Sequence, residues 1–337
     1  GIRRLRQLYS GDTVFKLFCH TRRCRRRHFT LAIHFRGHTV MKPRPFHHRI
    51  IASIIAICAL ILSHTALAAE FWGHRYSKQV DIRYGEQPGQ VFDLYMYGQR
   101  TGEPSYFATD PTPRPTLVWI HGGGWVAGDK ARETPWLIPY LQRGWNVANV
   151  NYRQGPDTAP NAADDVMCAY QRISEILAAA GMPLDQVVVS GASAGGHLAL
   201  VVGMRNSKGE HPCQVPTPPR TVVNWFGITD IEAVHEFLRK TKPESNYAAS
   251  WIGDLDRMTD ISAAHSPLFL VSEDTPPIIT VHGDQDSVVP FEQATALHES
   301  LSTPNRLVTM EGGNHSGFSD TQYQDAYRAI FDFISEL

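Results

Sequence analysis

From about residue 80 onward, short runs dense in Val, Ile and Leu alternate with stretches whose apolar positions recur near every 3.6 residues. Strand and helix periods in that alternation predict an α/β fold, a mainly parallel sheet of about eight strands with helices on both faces. Residues 91–97 alternate apolar with polar positions, which places them at a sheet edge. The runs at 116–120, 146–150, 186–190, 221–226, 277–282 and 306–310 are denser and read as strands buried on both faces. Helical spacing is clearest at 162–180, closed by Gly181 and Pro183, and at 195–204, 291–301 and 322–335. Between 227 and 276 lies a connection too long for an ordinary loop, with a helical piece at 231–239 and Trp251; it is expected to form a small partial cover over the site. Residues 101–115, rich in Pro, Thr and Gly, read as a surface loop.

The first 69 residues follow none of this patterning. From Met41 a basic start (Lys42, Arg44, Arg49) leads into the apolar run 50–62 and then Ala66-Leu67-Ala68, the three parts of a secretory signal peptide. The expectation is a signal at 41–68, cleavage before Ala69 and a secreted or periplasmic catalytic domain at 69–337. A run of 13 residues is shorter than the roughly 20 that span a bilayer, so a retained membrane anchor is the weaker reading. Residues 1–40 carry TRRCRRRH with no sustained period and read as a non-native or disordered basic extension, a nucleic-acid-binding arm being the competing reading.

Separating the leader changes the charge. The whole chain sums to −1, but from Glu70 onward 19 basic residues face 32 acidic ones, a net of about −13. That balance argues against nucleic acid or an anionic membrane as partner and leaves a small-molecule or polysaccharide substrate. Of five cysteines, Cys168 and Cys213 remain in this part; in an oxidising compartment they form either a disulfide or two buried thiols.

The candidate chemistry sits where strands end. VVVSGASAGGH places Ser193 in a G-x-S-x-G between a β-branched strand and a helix, the order a nucleophile elbow demands. LVWIHGGGWVAGDK follows another buried strand, and its three glycines let backbone N–H groups approach a substrate oxygen. The expected oxyanion donors are the amides of Gly123, Gly124 and Ala194. The run lacks the G-x-x-x-x-G-K-[ST] spacing of a phosphate loop. An acid belongs in the loop after the strand at 277–282, where GDQDSVVP offers Asp284 and Asp286. Among nine histidines from residue 70 onward, His315 in GGNHSGF follows both Ser193 and the acid. His121, His197 and His282 read as structural. Nothing in the spacing of Cys, His, Asp or Glu suggests a metal or cofactor.

The HGGGW loop, the GASAGG elbow and the order of the later motifs resemble the esterase and lipase branch of the α/β-hydrolase superfamily, over about 80–337. Within it, HGGGWVAGDK with NYR at 151–153, then SPL, PP and HGDQDSVVP, is most similar to the bifunctional feruloyl and acetyl-xylan esterase-like (BD-FAE-like) group. The hormone-sensitive-lipase-like group is the neighbour, and its long N-terminal cap is missing from the described motifs. The resemblance implies an α/β-hydrolase fold and Asp286, three before the Val-Pro pair, as the acid, with Asp284 bracing a turn. It also implies cofactor-free ester hydrolysis of short acyl, acetyl or feruloyl side-chain esters. The same triad serves amide cleavage, the second reading, and a catalytically dead fold used for binding is the third.

Overall fold

The computed structural model describes residues 76–98, 112–209 and 211–337. The expected extension at 1–40, the signal at 41–68 and most of the loop at 101–115 lie outside the described residues.

Eight strands form one sheet: β1 (Tyr76–Arg83), β2 (Val91–Tyr97), β3 (Thr116–Ile120), β4 (Asn146–Val150), β5 (Val187–Ala192), β6 (Thr221–Trp225), β7 (Ile278–Gly283) and β8 (Asn305–Met310). Their spatial order is β1-β2-β4-β3-β5-β6-β7-β8. The β1–β2 and β2–β4 pairs are antiparallel, and every pairing from β4 to β8 is parallel.

Because side chains alternate across a strand, neighbours sort into two cores. Val118 and Ile120 of β3 join the first, Leu117 and Trp119 the second. The first core is covered by α2 (Asn161–Ala179) and α3 (Ala194–Lys208); the second by α1 (Thr134–Leu141) and α9 (Asp320–Glu336). The last of these begins with a Ser319/Gln322 capping box. Both faces of the central strands are therefore apolar, which is why their sequences read as unbroken runs.

Two expectations about edges are corrected. Residues 91–97 are not an edge, since β1 pairs outside them. The polar position that produced their alternation, Asp93, is buried and takes Lys130 Nζ at 2.6 Å, so it marks an ion pair and not a solvated face. The strand at 306–310 does lie at an edge, with Asn305 and Thr309 exposed.

The segment 227–276 holds four α-helices, α4 (Ile231–Thr241), α5 (Tyr247–Ile252), α6 (Met258–His265) and α7 (Pro267–Leu270), with short 3-10 turns at Pro243–Ser245 and Leu255–Arg257. After β7 comes α8 (Glu292–Ser300). Trp251 of α5 stacks on Trp125 with ring centroids 4.5 Å apart, and Tyr247 donates to Val288 O at 3.3 Å. The segment thus lies across the glycine loop and the acid loop, as a partial cover.

Cys168 and Cys213 are joined in a disulfide, which settles the alternative left open by the sequence. His211 stands beside them, the three offering metal-ligand atoms within 4.8 Å of one another, but both sulfurs are spent in the bond. With the bridged cysteines 45 residues apart, loop closure restricts the unfolded chain by roughly 4 kcal/mol. Reduction, or a double Cys→Ser exchange, is expected to lower the urea midpoint accordingly; an unmoved midpoint refutes a stabilising role.

Candidate active site

The nucleophile elbow is built by steric necessity. Ser193 sits between β5 and α3 at φ 57°, ψ −121°, a region that non-glycine residues avoid. A Cβ on Gly195 would run into the carbonyl oxygens of Ile120 and His121, and one on Gly191 into those of Gly195 and Ile120. Only glycine fits on either side, so the strand can turn into the helix within three residues. The Ser193 amide donates to Trp225 O at 2.9 Å, pinning the turn to β6.

The three sequence-predicted side chains converge. His315 Nε2 stands 3.0 Å from Ser193 Oγ, and His315 Nδ1 stands 2.7 Å from Asp286 Oδ2. Ser193 and His315 are half-buried, whereas the Asp286 carboxylate is wholly enclosed. Burial alone would raise that carboxyl; donors from His282 and His315, the charge of His315 and the Val289 amide outweigh it and hold Asp286 well below the usual carboxylate range. Asp284 does what a bracing residue would: its Oδ1 accepts from Gly312 N at 2.7 Å, steadying the loop that carries His315.

The glycine loop lies against this group. A Cβ on Gly122 would stand 3.4 Å from Ser193 Cβ. Gly123 and Gly124 have φ of +117° and +59°, and Trp125 follows at +60°. The amides of Gly123, Gly124 and Ala194 donate to no backbone or side-chain acceptor among the described residues. Ala194 opens α3, where unpaired N–H groups and the helix dipole favour negative charge.

Several partners hold the loop in place. His121, expected to brace it, lies at 2.7 Å from Gly122 O through Nδ1 and stacks on Tyr152 at 4.3 Å. Lys130, at the far end, reaches Asp81 at 2.8 Å and Asp93 at 2.6 Å. Trp125 Nε1 donates to His197 Nδ1 at 3.1 Å, so His197 Nε2 carries the proton toward His265 O at 2.9 Å.

That last arrangement is acid-sensitive. Burial pushes His197 down to about 4; burial, aided by Arg205, His197 and His211, pushes His265 down to about 3. Below an unfolded value near 6.5 the unfolded chain takes up protons that the folded one refuses, so stability falls with falling pH. Each histidine is expected to cost about 2 kcal/mol at pH 5 relative to pH 7.5. A protonated His197 Nδ1 can no longer accept from Trp125. Urea midpoints equal at the two pH values would contradict this.

Sequence reasoning missed three residues around the triad. Phe226, at φ 40°, packs its ring against His315 with centroids 4.7 Å apart. Tyr247 lies over Gly124, where a Cβ would meet its Cβ at 2.7 Å. His282, read only as a strand end, stands 3.2 Å from Asp286 Oδ2. Nothing in the sequence pattern singles out Phe226 or Tyr247; for His282 the one signal was its place four residues before the acid.

A nucleophile, a base in contact with it, an acid orienting the base and free amides beside the nucleophile make an arrangement able to transfer an acyl group. Solved structures share the fold. A truncated carbohydrate esterase from gut microbiota aligns with a TM-score of 0.63 at 21% identity, covering 78% of this chain and 98% of that one. An acetyl ester-xyloside bifunctional hydrolase from Caldicellulosiruptor lactoaceticus aligns at 0.59 and 20%, covering 77% and 96%. By sequence, the esterase LipC of Mycobacterium tuberculosis is 26% identical over 240 residues, 69% of this chain and 57% of LipC. The chain spans little more than half the length of the first curated relatives it matches. The BD-FAE family model matches residues 106–301. An α/β-hydrolase sheet, a strained serine elbow and a family match over more than half its length place this chain in the BD-FAE family.

Proposed function

We propose that the protein is a secreted serine carboxylic ester hydrolase acting on short acyl esters or on acetyl and feruloyl side chains of polysaccharides. The observation that carries this reading is the contact of His315 Nε2 with Ser193 Oγ at 3.0 Å, backed by Asp286 at 2.7 Å on the other ring nitrogen.

Ser193 gives its proton to His315 Nε2 as its oxygen attacks the ester carbonyl carbon. Asp286, held as a carboxylate, keeps the Nδ1 proton in place and stabilises the imidazolium that forms. The negative tetrahedral oxygen is received by the amides of Gly123, Gly124 and Ala194. His315 then protonates the leaving alkoxide, the alcohol departs and an acyl-enzyme remains. Water, deprotonated by the same imidazole, attacks the acyl carbon; the carboxylic acid is released and Ser193 regains its proton. No metal or cofactor takes part in these steps.

The substrate class is supported by the matched structures whose names speak of carbohydrate and acetyl ester substrates. Export is supported by the signal pattern at 41–68 and by a disulfide, a bond typical of oxidising compartments. The acidic balance from residue 70 onward supports a soluble enzyme without nucleic-acid or membrane partners. The test is a p-nitrophenyl ester panel from acetate to palmitate, run beside acetylated xylan and methyl ferulate. Cleavage of the short esters and of one polysaccharide-type substrate is expected; inertness toward all of them overturns the reading.

A further inference from the structure

We infer that His282 is a positioning residue of the catalytic group, locking from behind the carboxylate oxygen that orients His315. The inference rests on the serine hydrolase reading and deepens it.

His282 is the penultimate residue of β7 and is fully buried. Its Nε2 stands 3.2 Å from Asp286 Oδ2 and 2.9 Å from Val289 O. Both neighbours are acceptors, so Nε2 is the donor, and Nδ1 is the bare nitrogen, with no partner among the described residues. The ring packs edge-on against Phe291, with centroids 5.7 Å apart. Its place is therefore fixed by the sheet below it, by Phe291 beside it and by the acid loop above.

The same Oδ2 takes His315 Nδ1 at 2.7 Å. The other carboxylate oxygen, Oδ1, accepts from the amides of Val288 at 2.8 Å and Val289 at 2.9 Å. His282 thus grips the turn at two points, the carboxylate and the Val289 carbonyl, across a loop with no regular structure of its own. Tyr247, which donates to Val288 O, is the other titratable group facing Asp286 from a neighbouring element. Take away His282 and both its hold on the Val289 carbonyl and its 3.2 Å contact with Oδ2 are lost, so the carboxylate can turn about its own axis and His315 loses its fixed bearing on Ser193. A misplacement of about 1 Å at a reacting group is enough to lower the rate many-fold.

The test is a double-mutant cycle on p-nitrophenyl acetate hydrolysis by the full chain, with fluorophosphonate labelling to count competent sites. His282→Leu is expected to lower kcat by about tenfold or more with KM nearly unchanged, the size of loss that orienting partners carry. His282→Gln, which keeps an N–H donor, is expected to recover most of it. In an Asp286→Ala background the Leu exchange should cost nothing further, because the group through which His282 acts is gone. Equal fractional losses in both backgrounds, or no loss in the first, overturn the inference while leaving the hydrolase reading in place. A wild-type protein that neither cleaves the ester nor takes the probe overturns both.

Discussion

Ser193→Ala is expected to abolish fluorophosphonate labelling and to lower kcat by about 10⁵- to 10⁶-fold, the scale on which a triad serine fails when removed alone. Alanine keeps the side-chain bulk at φ 57°, ψ −121°, so its fold stability should match the wild type. Ser193→Gly is expected to be equally inactive but more stable. The strain of a non-glycine residue in that region costs about 1 to 3 kcal/mol, and glycine returns about 1 kcal/mol of it as extra freedom in the unfolded chain. A net gain of about 1 kcal/mol corresponds to a rise of roughly 1 to 2 °C in Tm for a chain of this size. The two variants separate chemistry from strain: one loses the hydroxyl, the other loses both. Equal Tm values would mean that the elbow stores no more strain than the roughly 1 kcal/mol that glycine's extra freedom costs, and retained hydrolysis in either would mean that another group attacks.

How much of this could be read from the sequence depended on whether a residue's partner lay nearby in the chain. The buried parallel strands were legible because both faces are apolar, and β3 and β4 match the predicted bounds. β1 was invisible: YSKQVDIR carries polar residues at most positions, and it owes its strand state to pairing with β2. The helix at Thr134–Leu141 contains Pro135 in its first turn and Pro139 further in, so its pattern gave no helical signal, yet Leu137, Tyr140 and Leu141 pack into the second core. The triad was legible because turn chemistry and chain order confine it: glycines flank the serine, and the acid and base follow in sequence. Of the acid's neighbours, His282 left a trace only through its spacing, whereas Phe226 and Tyr247 come to the site through the arrangement of β6 and the cover, which no local pattern records. The edge assignments were exchanged because a polar letter in a strand has two meanings, solvent or a buried ion pair, and Asp93 has the second.

The same density of donors makes Asp286 the least replaceable position after the serine. Its two oxygens accept from the Val288 and Val289 amides on Oδ1 and from His315 Nδ1 on Oδ2, while His282 Nε2, bonded to Val289 O, stands 3.2 Å from Oδ2. Asn in this place has one oxygen and one NH₂, so two donors must face a third, whichever way the amide is turned. If the NH₂ points at His315, the imidazole is driven to the tautomer with its proton on Nε2, aimed at the serine, and can no longer act as base. If it points at the backbone, the turn that presents the residue is broken. Asp286→Asn is therefore expected to lower kcat by about 10⁴-fold, the cost of the wrong tautomer in triads of this kind. It is also expected to destabilise the fold by about 1 to 3 kcal/mol, the penalty for leaving buried donors unpaired. Both effects arise from proton inventory and not from size, since Asn and Asp are nearly isosteric. A variant with full activity and an unshifted urea midpoint would show that the carboxylate is not ionised in the working enzyme, and the assignment of Asp286 as the acid would fall with it.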